Sequence, residues 1–157
     1  MRIAIRVLAA ILLVGPVFAA DHPDFRLWKA DELKRRDAAL SGKVGPDHSA
    51  RETLADFGDH RVRFLYRNAD GFPEQHDHIV DMVFVQSGEG TLQIGGAMVD
   101  KKASSAAGEF VGSKIEGGER HPLGAGDVIH IPATIPHAFL VPEGKHLTYV
   151  LVKFPGQ

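Results

Sequence analysis

The run Gly126-Asp127-Val128-Ile129-His130-Ile131-Pro132-Ala133-Thr134-Ile135-Pro136-His137 decides how this chain is read. Gly126-Asp127 turns the backbone, and Val128 to Ile131 is a short strand. Pro132 ends that strand because proline has no N–H to give a ladder. His137 then opens the next apolar run, Ala138-Phe139-Leu140-Val141. Upstream lies a second imidazole-bearing signature, His76-Asp77-His78 with Asp81 close behind. On an extended strand alternate residues share a face, so His76 and His78 are expected to point the same way. With Asp81 and His137 they make three nitrogen donors and a carboxylate, a set suited to one divalent first-row transition metal.

Outward from these signatures the pattern is strand and turn. Arg61 to Arg67 alternates, and Asn68-Ala69-Asp70-Gly71 turns the chain. Asp81 to Gln86 is mostly apolar and ends at Ser87-Gly88-Glu89-Gly90, and Thr91 to Ile94 starts another strand. Val83 and Val85 are expected to line the inside of a barrel, with Met82 and Phe84 on its outer layer. Residues 97–118 hold few large apolar side chains and read as a long hairpin excursion. Leu147 to Phe154 closes the pattern. Trp28 to Leu40 alone reads as an amphipathic helix, stopped by Ser41-Gly42. Many short strands with glycine turns and one helix predict an all-β sandwich or barrel.

At 157 residues the chain has room for one domain with one core. It opens with Arg2 and Arg6, an apolar run from Val7 to Val14, and small residues at Ala19-Ala20. That order predicts a signal peptide over residues 1–20, hence an exported protein, periplasmic or extracellular. Residues 21–48 form an extension carrying the helix, and 49–157 the barrel. Removing Arg2 and Arg6 leaves 16 basic against 20 acidic residues, a formal charge of −4. This mild acidity, without a dense basic run, counts against nucleic acid as a partner and against stable membrane association after signal cleavage. Lys34-Arg35-Arg36 lies among Asp31, Glu32 and Asp37 and reads as a solvated helix face. The chain has no cysteine, which excludes disulfide staples, thiolate metal sites and cysteine nucleophiles.

The two signatures resemble the paired motifs of the cupin superfamily, whose double-stranded β-helix is a small jelly-roll barrel. The second family motif runs glycine, five residues, proline, one residue, glycine, two residues, histidine. Gly126, Pro132 and His137 match it, and Thr134 stands where the second glycine belongs. In the first motif Asp81 takes the glutamate position, at the family's interval before Gly88. Two registers remain upstream of it. Either His76 and His78 are the paired histidines, or His76 is the second and Glu74 replaces the first, which leaves His78 in a loop. Asp81 is one methylene shorter than glutamate, so it stands either as a ligand or as a partner that orients an imidazole.

The resemblance implies a divalent transition metal (Fe, Mn, Zn or Ni) on His76, His78, Asp81 and His137, and a small-molecule ligand or substrate. It allows dioxygenase or isomerase chemistry on a small oxygenated molecule, with His130 or Glu74 as candidate general base. The other reading is a non-catalytic small-ligand-binding or structural cupin with a degenerate metal site. Unpaired strand edges are compatible with a homodimer. No Gly-x-Ser-x-Gly elbow is present, and the glycine-rich segments sit at β-turns, where they do not form a phosphate loop.

Overall fold

The computed structural model describes residues 23–156; the segment read as a signal peptide lies outside them. Helix α1 runs over Ala30–Ser41 and starts two residues later than the sequence pattern places it. Asp31 and Glu32 in its first turn complement the helix dipole. They also pair one turn on, Asp31 with Arg35 at 2.8 Å and Glu32 with Arg36 at 2.6 Å. Leu40 is buried with Ala50 and Phe64, which fastens the helix to the outer face of the sheet. Asp37 clamps it further, accepting from Ser87 Oγ at 2.6 Å and Thr148 Oγ1 at 2.7 Å. Among the described residues no helix is long and apolar enough to cross a membrane.

Twelve strands follow: β1 (Ser49–Asp56), β2 (Arg61–Arg67), β3 (Glu74–His76), β4 (Ile79–Ile94), β5 (Ala97–Val99), β6 (Lys102–Ala103), β7 (Glu109–Val111), β8 (Lys114–Glu116), β9 (Glu119–Gly124), β10 (Val128–Ile131), β11 (His137–Leu140) and β12 (Leu147–Pro155). Ten form one antiparallel sheet in the order β1-β2-β12-β4-β11-β3-β7-β6, with β9 and β10 also paired to β4. The first part of β4 pairs with β12 and β10, and its last residues pair with β9 and β11. One strand thus crosses from one layer to the other and closes the roll. The excursion over 97–118 supplies the separate hairpin β5-β8 and the short β6-β7 pair, whose β7 also pairs with β3.

The bend in β4 explains a motif glycine. Gly88 has φ +76°, and a Cβ there would lie 2.0 Å from the His146 carbonyl oxygen. Only glycine fits where β4 crosses the β11–β12 loop. Side-chain parity then sorts the layers. Val83, Val85, Leu65, Tyr149, Leu151, Phe139 and Ile131 belong to the barrel core. Phe64, Tyr66 and Val150 face the helix. Met82 and Phe84 stay half-buried on the outer side of β4, as their phase predicts.

Candidate metal centre

At one end of the barrel the inward rows change from hydrocarbon to charge. Glu74 and His76 sit two apart on β3 and share a face, so the period-two pair is Glu74 with His76. The strand ends at His76, the chain turns at Asp77-His78, and β4 begins at Ile79. His78 is exposed beside Gly108 and does not converge on the other residues. The expectation that His76 and His78 share a face is therefore corrected: alternation holds only while the strand lasts. The same turn absorbs the odd offset between His76 and Asp81.

His137 reaches the cluster from β11, whose first residue pairs with Glu74 and with Ile94. One ligand atom each from Glu74, His76 and His137 lie within 4.8 Å of one another. Asp81 lies between the imidazoles, its Oδ2 3.4 Å from His76 Nε2 and 3.6 Å from His137 Nε2. Glu74 Oε2 is 3.7 Å from His76 Nε2. His76, Asp81 and His137 are each at most 3% exposed, and Glu74 is the partly exposed member at the mouth.

Both imidazoles turn Nε2 inward and Nδ1 toward an oxygen. His137 Nδ1 lies 3.1 Å from the Ile135 carbonyl, which fixes Nδ1 as the protonated nitrogen. His76 Nδ1 lies 2.7 Å from Glu109 Oε2, although the carboxylate is off the direction of a ring N–H. Such outer contacts orient metal-binding histidines and raise their basicity. Burial opposes a charge on His76, but Asp81 and Glu109 beside it outweigh burial and raise its pKa to about 9. Burial likewise works against the Asp81 carboxylate; the His137 and His76 imidazoles and the Lys153 ammonium beside it hold its pKa well below the usual range.

Two contributors carry no motif signal. Glu109 comes from β7, which the excursion folds back against β3, pairing with His76 itself. Lys153 comes from β12, directly opposite Asp81. Its Nζ lies 2.8 Å from His76 Nε2 and 3.2 Å from Asp81 Oδ1. A signal for Lys153 was present, because Leu147, Tyr149 and Leu151 form the inward row of β12 and Lys153 continues it.

His130 stands apart. It pairs with Met82 and shares that residue's outward face, exposed to solvent, while Ile129 and Ile131 take the core side. The structure thus corrects its reading as a base inside the barrel. Thr134, where the family motif has glycine, adopts φ +69°, the left-handed region that glycine occupies without cost. Its N–H donates to the His76 carbonyl at 2.6 Å, so this turn also anchors the end of β3.

No family model matches the sequence, and no curated protein is detectably similar to it. Solved structures do match. KdgF from Halomonas sp. aligns with 19% identity over 73% of this chain and 85% of its own, at a TM-score of 0.51. A cupin-2 domain protein from Rhodospirillum rubrum aligns with 17% identity over 68% of this chain, at 0.50. The chain folds as a cupin. A Streptomyces protein, PAC13 solved with uridine, aligns with 15% identity over 72% of this chain and 74% of its own, at 0.51. The aligned region spans 60% of the Rhodospirillum protein and 66% of a polyketide cyclase from Streptomyces resistomycificus, less than two thirds of either. In this cupin-like fold the histidine of the second motif is His137, and Glu74 and His76 are the residues near the first motif that face it.

Two imidazole nitrogens and two carboxylates converge in a buried recess, and Asp81 Oδ1 and His76 Nδ1 are buried without an aligned hydrogen-bond partner. Buried polar atoms left without a partner are costly, and a cation satisfies such carboxylate oxygens. The residues fit the ion once the Lys153 ammonium is withdrawn from His76 Nε2.

Proposed function

We propose that this protein is an exported single-domain cupin that holds a divalent transition metal on Glu74, His76 and His137, and acts on a small oxygenated organic molecule in dioxygenase or isomerase fashion. The observation that carries this reading is the pose of the two imidazoles, which aim Nε2 at one centre and have Nδ1 against oxygen acceptors. A bound divalent ion would supply Lewis acidity toward a ligand oxygen. Asp81 holds the ligand nitrogens on station and contributes negative charge. Glu109 orients His76 from behind. Glu74, at the mouth, completes the donor set where a small molecule enters.

The test is thermal stability of protein carrying no histidine tag, with and without Mn²⁺, Fe²⁺, Zn²⁺ or Ni²⁺. A folded-state ligand at 100 times its Kd adds about 2.7 kcal/mol. Such a rise is expected with at least one of these ions, lost in His76→Ala and His137→Ala and kept in His78→Ala. No rise with any ion overturns the reading. The export proposal is checked by the N-terminus of protein recovered from a bacterial periplasm, which should begin near Asp21; an intact Met1 would contradict it.

One observation favours a second reading, a metal-free small-ligand-binding cupin. Lys153 already places a cation against His76 Nε2 and Asp81. Lys153→Met separates the two. If Lys153 merely competes with the metal, its loss removes a like charge and tightens metal binding by about tenfold or more. If Lys153 is the resident cation, its loss leaves Asp81 Oδ1 buried without a partner, costing about 1–3 kcal/mol with no gain in metal affinity.

A further inference from the structure

The strands that carry the candidate metal site are held very unevenly. In β3, β6 and β7 His76 is the one buried residue, and none of their side chains belongs to either apolar cluster. Strand β3 meets β11 at a single register position, His137 with Glu74. By contrast, β12 runs beside β4 all the way from Leu147 to Pro155. Further out, β7 pairs with β3 and with the short strand β6, whose residues are exposed. The neighbouring β5-β8 hairpin is better tied, because the buried Gln93 side chain donates to the Ile115 and Gly117 carbonyls and Ile115 itself is buried.

A unit with little apolar burial and few ladder bonds to its neighbours opens at low cost. What fastens this one to the barrel is largely charge. His76 Nε2 lies 2.8 Å from Lys153 Nζ on β12 and 3.4 Å from Asp81 Oδ2 on β4. The Lys153 ammonium also reaches Asp81 Oδ1 at 3.2 Å, so one cation spans the seam. The backbone adds the Thr134 N–H, donated to the His76 carbonyl at 2.6 Å. The proposed metal donors divide along the same seam, with Glu74 and His76 on β3 and His137 on β11. The loosely held strands and their connections give Glu74, Ser104 and Glu109 to the lining of a cavity of about 440 Å³ at this end of the barrel, to which β2 and β12 give Arg63 and Lys153.

We propose that β3, β6 and β7 form a flap latched to the barrel by a cation at this seam, the divalent ion when it is bound and the Lys153 ammonium when it is not. The latch regulates the site of the proposed function, and its metal-bound state rests on that reading. Two cations cannot share His76 Nε2, so the ammonium leaves as the ion arrives. The ammonium holds the flap through one imidazole nitrogen, whereas a divalent ion joins donors from both sides of the seam. Metal therefore tightens the latch. An ion that binds the closed flap better than the open one shifts that equilibrium by its differential affinity. Metal occupancy thereby sets how firmly one wall of the cavity is held, and a small molecule that needs this wall binds after the metal.

The experiment is hydrogen–deuterium exchange of tag-free protein, EDTA-treated or saturated with Zn²⁺, read by mass spectrometry of its peptides. In zinc-free protein, residues 74–77 and 102–111 are expected to exchange about tenfold or more faster than residues 80–87 of β4. Zn²⁺ should slow the flap about tenfold or more and leave the β5-β8 hairpin within about twofold. Lys153→Met, with its thermal melt checked, should speed flap exchange about threefold or more without zinc and match the unaltered protein with zinc. Lys153→Gln serves if the methionine variant does not fold. Flap exchange as slow as that of β4 without zinc, or slowing by zinc that is uniform along the chain, overturns the proposal. Zinc bound at one ion per chain without slower flap exchange overturns the latch alone. If no zinc binds, the metal reading falls and the Lys153 variant decides the latch: faster flap exchange upholds it, and unchanged exchange overturns it.

Discussion

The two ends of one barrel interior are built on the same strands with opposite chemistry. On β12 the inward row runs Leu147, Tyr149, Leu151 and then Lys153; on β4 it runs Val85, Val83 and then Asp81; on β2, Leu65 and then Arg63. At the apolar end the side chains satisfy one another: Phe139 stacks on Tyr149 with centroids 4.8 Å apart, and Leu147 and Val83 are fully buried. At the charged end the cross-strand partners are Lys153 and Asp81, and His76 and His137 lean on the same carboxylate. The fold concentrates hydrophobic stabilisation at one end, which lets the other retain buried ions. An ion cluster of this kind is weak evidence for stability and stronger evidence for a binding role.

Substitutions can break that division. The largest effect is expected at the apolar end, where Leu147→Ala removes a fully buried core side chain and should cost about 2–5 kcal/mol in urea unfolding. That loss should be the same at pH 6 and pH 9, since no charge is touched. A strongly pH-dependent loss would mean that the two ends are not independent. Asp81→Asn keeps the shape and removes the charge that His76, His137 and Lys153 share. It should cost roughly 1.5–3 kcal/mol in the metal-free protein, the range for a hydrogen bond to a charged group.

The charged end also predicts the pH dependence of metal-free protein. His76 has a folded-state pKa of about 9, raised from 6.5. Its contribution to stability is therefore fully present below about 6.5 and is lost as pH rises through about 9. Asp81 is shifted the other way, so its contribution is present above the ordinary aspartate range and lost as pH falls through and below it. The unfolding free energy of metal-free protein should decline between pH 6.5 and 9, and His76→Gln should flatten that decline. Metal binding displaces the proton from His76, so its affinity should rise over the same interval. A decline unchanged in His76→Gln would assign it to another group.

The smallest expected effect is a gain. Thr134 is β-branched and sits at positive φ, a conformation that costs about 1–3 kcal/mol for such a residue. Thr134→Gly should recover about 1 kcal/mol, net of the entropy that glycine adds to the unfolded chain. A destabilised variant would show that the threonine side chain compensates for the strain through contacts of its own.

Much of the fold was legible because its signals are local. Gly126-Asp127, the stop at Pro132 and the glycine at position 88 are each tied to a turn or a crossing, and the alternation of Val83 and Val85 assigns one face of β4 to the core. Within the site His76 and His137 were legible for the same reason, and the pair of registers reduced the rest to a choice between Glu74 and His78. That choice depended on where β3 ends, and a three-residue strand carries too little pattern to show its last residue. His130 was ambiguous because Val128 and Ile131 give either face of β10 an apolar residue, and only pairing with Met82 resolves it. Glu109 had no local signal: it reaches His76 through a pairing across more than thirty residues of chain. Lys153 could have been found by carrying the inward row of β12 one step beyond Leu151.

In the proposed function the charged end of the barrel binds a divalent ion through His76 and His137. The most direct measurement is long-range ¹H–¹⁵N spectroscopy of the histidine side chains during Zn²⁺ titration of tag-free protein. His76 and His137 are expected to lock as Nδ1–H tautomers with Nε2 shifted by the metal, complete at one ion per chain, while His78, His121 and His130 stay unchanged. Zinc-dependent shifts at His78, or none at His76 and His137, would contradict it.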